Sequence, residues 1–185
     1  MLPNWEKAQE LWQGVQNLDV LDEHGTSHPL NTLLAKTPQV FVFVRHFGCL
    51  FCRQQAGEAH LLEEAARAMG GGLAVIGCGT SEHLGSFRQA SGYTGQLYTN
   101  PGLEIYTMLG FIRSWPGMLA PRAVQSAFQA LKKGYRPGML QGDILQLGGV
   151  LVTGSENRPA LLFRSRWAGD HPPATDLTLL LQANA

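Results

Sequence analysis

At 185 residues the chain is long enough to bury a substantial core without disulfide or metal staples, and one domain is its simplest organisation. Lysine plus arginine equals aspartate plus glutamate at 14 each, with a sequence pI of about 7.0, so no broad basic surface is expected and neither nucleic acid nor a membrane is an expected partner. Met1-Leu2-Pro3-Asn4-Trp5-Glu6-Lys7 has neither the basic nor the apolar part of a leader, no run is long enough to cross a bilayer, and three cysteines do not make a secreted disulfide framework; the expectation is a soluble, cytoplasmic protein.

In chain order, residues 3–14 read as a helix with Ala8, Leu11 and Trp12 on its apolar stripe. Asp19 to Asp22 and the segment after Thr26 predict a short hairpin turning at His24-Gly25. Val40-Phe41-Val42-Phe43-Val44 is a continuous β-branched and aromatic run, the pattern of a strand buried on both faces of a parallel sheet. Helical spacing of Ala56, Ala59, Leu62, Ala66 and Met69 predicts one helix from about Cys52 to Gly70-Gly71-Gly72, and Leu73 to Ile76 returns as a second strand, completing a βαβ unit. A helix capped by Thr80 or Ser81 runs to about Ala90, Leu97-Tyr98-Thr99 is a short strand, and Asn100-Pro101 opens a helix carrying Leu103, Tyr106 and Leu109. The stretch from Gly110 to Gly142, with a helical segment around 124–131, is long enough to carry a lid or pocket wall. A hairpin turning at Gly154 to Asn157 and a helix after Pro173 close the chain.

The chemistry concentrates where the 40–44 strand ends. Cys49-Leu50-Phe51-Cys52 places two thiols, three residues apart, at a strand-to-helix junction. Unsatisfied backbone N–H groups and the positive end of the helix dipole favour a thiolate there. Arg45 and His46 would lower a cysteine pKa further, with His46 able to carry protons near neutral pH; either could equally face solvent or brace a loop. Helical phase turns Cys52 inward and leaves Cys49 at the more exposed lip. The plainer alternative is a structural half-site for zinc, which needs two more ligands that no second CxxC or paired histidines supply. Neither a metal nor a cofactor is expected. Cys78, after Val75-Ile76-Gly77, is either a third redox thiol at the functional edge of the sheet or a small buried side chain, and the second reading is preferred.

Beyond these patterns, Phe43 to Arg53, Tyr98-Thr99-Asn100-Pro101, Leu147-Gly148-Gly149-Val150 and Ala168-Gly169-Asp170-His171-Pro172 resemble the CxxC-containing, peroxiredoxin-like proteins of the alkyl hydroperoxide reductase and thiol-specific antioxidant superfamily. The resemblance implies an α/β fold with a thioredoxin-like, peroxiredoxin-type central mixed sheet flanked by helices. It spans residues 1–185 as a single domain with an N-terminal helical extension and an insertion at 110–142. It also implies a thiol oxidoreductase with catalytic residues among Cys49, Cys52, Arg45 and His46, acting on a peroxide, an endoperoxide or a related small organic substrate. An external thiol donor of thioredoxin or glutathione type would reset the pair, and a homodimer is compatible. Alignment with the peroxiredoxin PxxxTxxC site makes Cys52 the attacking thiol, with Cys49 and Arg45 at the Thr and Pro positions and Gly148 where a late-strand arginine would fall. Exposure at the lip favours Cys49 instead. The rival reading is a non-enzymatic redox sensor or partner-binding module contacting its partner through the 110–142 segment.

Overall fold

The computed structural model describes residues 5–33, 38–118, 121–139 and 141–183. Helix α1 (Trp5–Val15) buries Ala8, Trp12 and Val15 on one stripe, as its spacing requires; residues 3 and 4 of the expected helix lie outside the described residues. Strands β1 (Asp19–Leu21) and β2 (Ser27–Pro29) form the expected hairpin. Its turn is fixed by the Asp22 carboxylate, which accepts the N–H groups of His24 and Thr26, and by Gly25 at φ 77°.

Strand β3 (Gln39–Phe43) is buried along its whole length at the heart of a seven-stranded mixed sheet. Its alternate residues divide between two cores. Val40 and Val42 pack with helices α2 (Leu50–Gly57), α3 (His60–Ala68) and α4 (Leu84–Ser91), while Phe41 and Phe43 meet Trp12 of α1 and Tyr106 of α5 (Glu104–Met108). β3 pairs in parallel with β4 (Gly72–Gly77), which pairs in parallel with β5 (Gln96–Thr99). On its other side it pairs antiparallel with β6 (Gly149–Thr153), followed by β7 (Pro159–Arg164). The sheet order is β2-β1-β5-β4-β3-β6-β7. Helix α6 (Pro121–Lys132) crosses α2, and α7 (Ala174–Ala183) packs on α3.

Two helix expectations change. The helix expected from Cys52 to Met69 is two helices, broken at Glu58 and Ala59. Gly57 ends the first of them at a close approach: a Cβ there would stand 2.5 Å from both the Ser91 carbonyl oxygen and the Tyr135 hydroxyl, where α4 and the residues after α6 close on the chain. The helix after Asn100-Pro101 begins only at Glu104. Leu103 sits at φ 63° and the Asn100 side chain accepts the Ile105 N–H, making a turn that precedes the helix.

Candidate redox site

Three chain segments meet beyond the ends of β3 and β4: the loop 44–49 that leads into α2, the β4 exit at Cys78, and residues 141–147 returning toward β6. The Tyr106 hydroxyl, fully buried, bridges the first two by reaching the carbonyl oxygens of Val44 at 2.6 Å and Ile76 at 2.8 Å, donating to one at a time. Cys49 is the residue that starts α2, in an extended conformation, and Cys52 lies in its first turn. Both are free thiols and both are buried.

The two sulfurs are electrostatically opposite. Hydrogen bonding from the Cys52 thiol, opposed by burial and aided by the nearby Arg45 charge, brings the Cys49 pKa down from 9.0 to about 6. The N–H groups of Phe51 and Cys52 also favour the Cys49 anion, without closing a capping hydrogen bond of ordinary length. Burial, and the proton it shares toward Cys49, push Cys52 well above the usual thiol range. The surroundings therefore favour the anion on Cys49 and the protonated form on Cys52.

Arg45 connects the two. Its backbone N–H donates to Cys52 Sγ at 3.3 Å and its guanidinium Nη1 to Cys49 Sγ at 3.4 Å. The side chain is buried, which an arginine tolerates only when its donors are satisfied. Nε donates to the Gln146 carbonyl at 3.0 Å and Nη2 to that of Ile144. Residues 144–146 are held in turn: Arg113 and Gln146 form an antiparallel bridge, and Leu147 N–H donates to the Ile112 carbonyl at 2.9 Å. The base of the long excursion thus fixes the cation beside the sulfur. Sequence reasoning found Arg45 but missed this clamp, because backbone carbonyls about a hundred residues away leave no mark in composition or spacing.

The expected exposed lip is a covered one. Cys49 is 5% exposed and Cys52 3%, so exposure does not distinguish them. Residues 134–139 and 141 form a strap over the loop: Gly138 N–H donates to the Gly48 carbonyl, Phe47 N–H to that of Gln141, and Arg53 Nη1 to that of Arg136. Gly48 allows the approach, since a Cβ there would lie 1.8 Å from the Met139 carbonyl oxygen. Part of the long excursion thus lies against the loop that carries the cysteines. A cavity of about 20 Å³, room for one water, touches Arg45, Cys52 and Trp167. A larger one of about 100 Å³, beyond α2, is lined by Gln55, Glu58, His171 and Leu177 and reaches neither cysteine. Both sulfurs are thus covered, and the strap is hydrogen-bonded to the loop that carries Cys49.

His46 is buried, and desolvation together with Arg45 and Arg53 lowers its pKa to about 4. It is neutral near pH 7 and titrates well below it, against the expectation that it moves protons near neutral pH; among the described residues its Nδ1 has no hydrogen-bond partner. Cys78 is buried among Phe41, Ile76 and Tyr106, and burial raises its pKa to about 11, the behaviour of a space-filling thiol. Its N–H donates to the Arg45 carbonyl at 3.1 Å, so it braces the loop by its backbone. No group of three or more histidine, cysteine or acidic side chains among the described residues is arranged to hold a metal. Trp115, 64% exposed, lines a separate open cavity of about 350 Å³ with Arg113, Asp143, Ile144 and Leu145, which reaches neither cysteine.

A family model described as AhpC/TSA antioxidant enzyme matches residues 60–166, a region that begins after the two cysteines and so is independent of them. The chain belongs to the AhpC/TSA antioxidant enzyme family. It is a peroxiredoxin-like oxidoreductase with a thioredoxin-like fold. Peroxiredoxin-like 2C of Mus musculus is 30% identical over 186 residues, spanning 95% of this chain and 82% of that protein. The prostamide/prostaglandin F synthase of Salmo salar is 32% identical over 168 residues, spanning 87% and 82%. Among solved structures, the peroxidoxin BcpB of Mycobacterium tuberculosis superposes with a TM-score of 0.62 at 15% identity, covering 91% of this chain and 93% of that one.

Within this peroxiredoxin-like frame, Gly148 cannot be replaced by an arginine: a Cβ there would meet the Phe43 carbonyl oxygen at 1.8 Å. The other late arginines are engaged elsewhere. Arg113 pairs with Asp143 at 2.8 Å, Arg164 donates to the Leu109 carbonyl at 2.6 Å and Arg166 to Asp170 at 3.2 Å. Arg45 alone among them reaches a cysteine sulfur. In the Asp170-His171 turn Asp170 accepts the Arg166 backbone N–H and the Ser165 hydroxyl donates to the Asp170 carbonyl, and both residues line the small cavity beside Cys52. No helix among the described residues is long and apolar enough to cross a membrane.

Proposed function

We propose that this peroxiredoxin-like oxidoreductase reduces organic peroxides or endoperoxides with Cys49 as the attacking thiolate and Cys52 as the resolving thiol. The observation that carries the reading is the placement of Arg45 Nη1 and the Cys52 thiol against a Cys49 sulfur whose pKa is brought to about 6. In the proposed first step Cys49 attacks one peroxide oxygen. The S–O bond forms as the O–O bond breaks, and the departing alkoxide takes a proton. A hydroperoxide leaves an alcohol and a Cys49 sulfenate; an endoperoxide leaves a sulfenate ester with the second alkoxide protonated. Cys52 then displaces the oxygen from Cys49 as water or an alcohol, closing a Cys49–Cys52 disulfide. Two electrons from an external thiol donor, one dithiol of thioredoxin type or two monothiols of glutathione type, restore both thiols and leave the donor as a disulfide. Arg45 holds the anion before attack and faces the developing negative charge on oxygen during it.

Peroxiredoxin alignment favours Cys52 as attacker, and the small cavity touches Cys52 rather than Cys49. The state of the sulfur outweighs both, because the thiolate is the nucleophile and Cys52 is held as a thiol. Cys49 and Arg45 at the Thr and Pro positions remove the residues that shape a hydrogen peroxide pocket. The likeness to a prostaglandin F synthase supports a bulkier substrate. With a thioredoxin or glutathione recycling system, the protein should consume an organic hydroperoxide or endoperoxide faster than hydrogen peroxide under matched conditions. Equal or faster turnover of hydrogen peroxide would refute the substrate preference. Peptide mapping after mild peroxide should find a Cys49–Cys52 disulfide; both thiols free beside a modified Cys78 would refute the mechanism.

A further inference from the structure

The neutral balance of the whole chain conceals a one-signed stretch. Residues 105–142 hold Arg113, Arg122, Lys132, Lys133 and Arg136 and not one acidic residue. α6 lies within it. On this helix Val124, Phe128 and Leu131, spaced i, i+4, i+7, share one face yet are 64%, 60% and 40% exposed, the reverse of a helix whose apolar stripe closes a core. The side it turns inward includes the fully buried Ala130. Lys132 borders the outward stripe, its ammonium 4.5 Å from the centre of the Phe128 ring. Lys133 is paired with Glu58 and Arg113 with Asp143, whereas Arg122, Lys132 and Arg136 make no ion pair among the described residues. Downstream, Met139 of the strap is 81% exposed.

An outward apolar stripe bordered by uncompensated cations has two needs at once, and one occupant meets both. A second copy paired about a two-fold axis would cover Phe128 but set the cations of one face against those of the other as they lose water. An anionic bilayer takes the apolar side chains at the boundary of headgroups and acyl chains and the cations at its phosphates. At 12 residues, about 18 Å, the helix would lie in the plane of that boundary without spanning it. We propose that the outward face of α6, with Arg136 and Met139, docks this protein onto anionic lipid bilayers. The same run of chain that bears Met139 closes over Gly48, so the docking face and the strap are continuous. The proposal does not rest on the thiol mechanism, and its test reads binding alone.

The reduced full-length protein is to be floated with vesicles of phosphatidylcholine alone and of phosphatidylcholine with roughly a third phosphatidylserine, at about 0.1 M and 0.5 M salt. Partition onto the anionic vesicles should be at least about tenfold stronger and should fall with salt. Lys132→Glu should lower it about tenfold and Phe128→Asp should abolish it. Far-UV circular dichroism and Cys49 labelling rates should match the parent in both variants, showing that the fold is kept. Equal partition onto the two vesicle types, no binding to either, or binding indifferent to both substitutions would overturn the proposal. A concentration-dependent dimer lost in Phe128→Asp, with no vesicle binding, would assign the face to a second copy.

Discussion

Arg45 joins the cysteine pair to the rest of the protein through a single buried side chain, so its removal should be felt twice. Arg45→Met keeps the aliphatic stem but takes the cation from Cys49 and leaves the carbonyls of Gln146 and Ile144 without their donor. The iodoacetamide labelling midpoint of Cys49 should rise above about 6, by about one pH unit, since a charge that favours the anion is lost. Stability in urea should fall by about 2–3 kcal/mol for the buried carbonyls. His46 makes a pH prediction of definite sign. Its pKa is about 4 in the fold against 6.5 in the free side chain, so its contribution to stability is present above pH 6.5 and is lost as pH falls toward 4. Urea midpoints should drop across that window by up to about 3 kcal/mol equivalent, and His46→Asn should flatten the drop. The sequence placed both residues beside the thiols. It did not show that His46 is desolvated, because burial depends on which distant segments cover the loop that carries it.

At the scale of elements, the strap over the 44–49 loop is expected to control access to Cys49. Gly48→Ala would drive a Cβ into the Met139 carbonyl, so the strap should lift. Alkylation of Cys49 should then be faster than in the parent at the same pH, with hydrogen exchange of the Gly138 N–H faster as well. A slower rate would mean that the strap does not gate the thiol. β3, the hairpins and the terminal helix were legible because apolar runs and glycine-marked turns carry their own signal. The break between α2 and α3 was not. The apolar spacing from Ala56 to Met69 continues through it, and the close approach of Ser91 and Tyr135 at Gly57 leaves no mark in that spacing. The covering of Cys49 was hidden for the same reason: helical phase gives direction from an axis, not what lies above it.

At the scale of the whole molecule, helix α1 is tied to the β6–β7 hairpin, which follows it by well over a hundred residues. The Trp12 indole N–H donates to the Asn157 carbonyl at 2.9 Å, and its ring lies 5.3 Å from that of Phe41. Trp12→Leu removes the bond and part of the aromatic core, and should destabilise the protein by about 3 kcal/mol, read as a lowered urea midpoint. The labelling midpoint of Cys49 should stay unchanged, because Trp12 lies on the face of the sheet opposite the core that contains both cysteines. The sequence made the α/β class and the mixed sheet accessible through the strand pattern and the family resemblance. The separation of the two cores and the long-range clamp on Arg45 come only from strands and loops being brought together.

The account turns on which sulfur is the thiolate, and the rate of iodoacetamide labelling against pH in Cys49→Ser and Cys52→Ser tests it most directly. In Cys52→Ser the serine hydroxyl can still hydrogen bond to Cys49, so a fast-labelling thiol titrating near pH 6 should persist and, under peroxide, accumulate as sulfenate or mixed disulfide. Cys49→Ser should lose rapid labelling near neutral pH, leaving only a thiol that titrates above 9. A low-pH titration that survives in Cys49→Ser and disappears in Cys52→Ser would contradict the assignment and make Cys52 the attacking thiol.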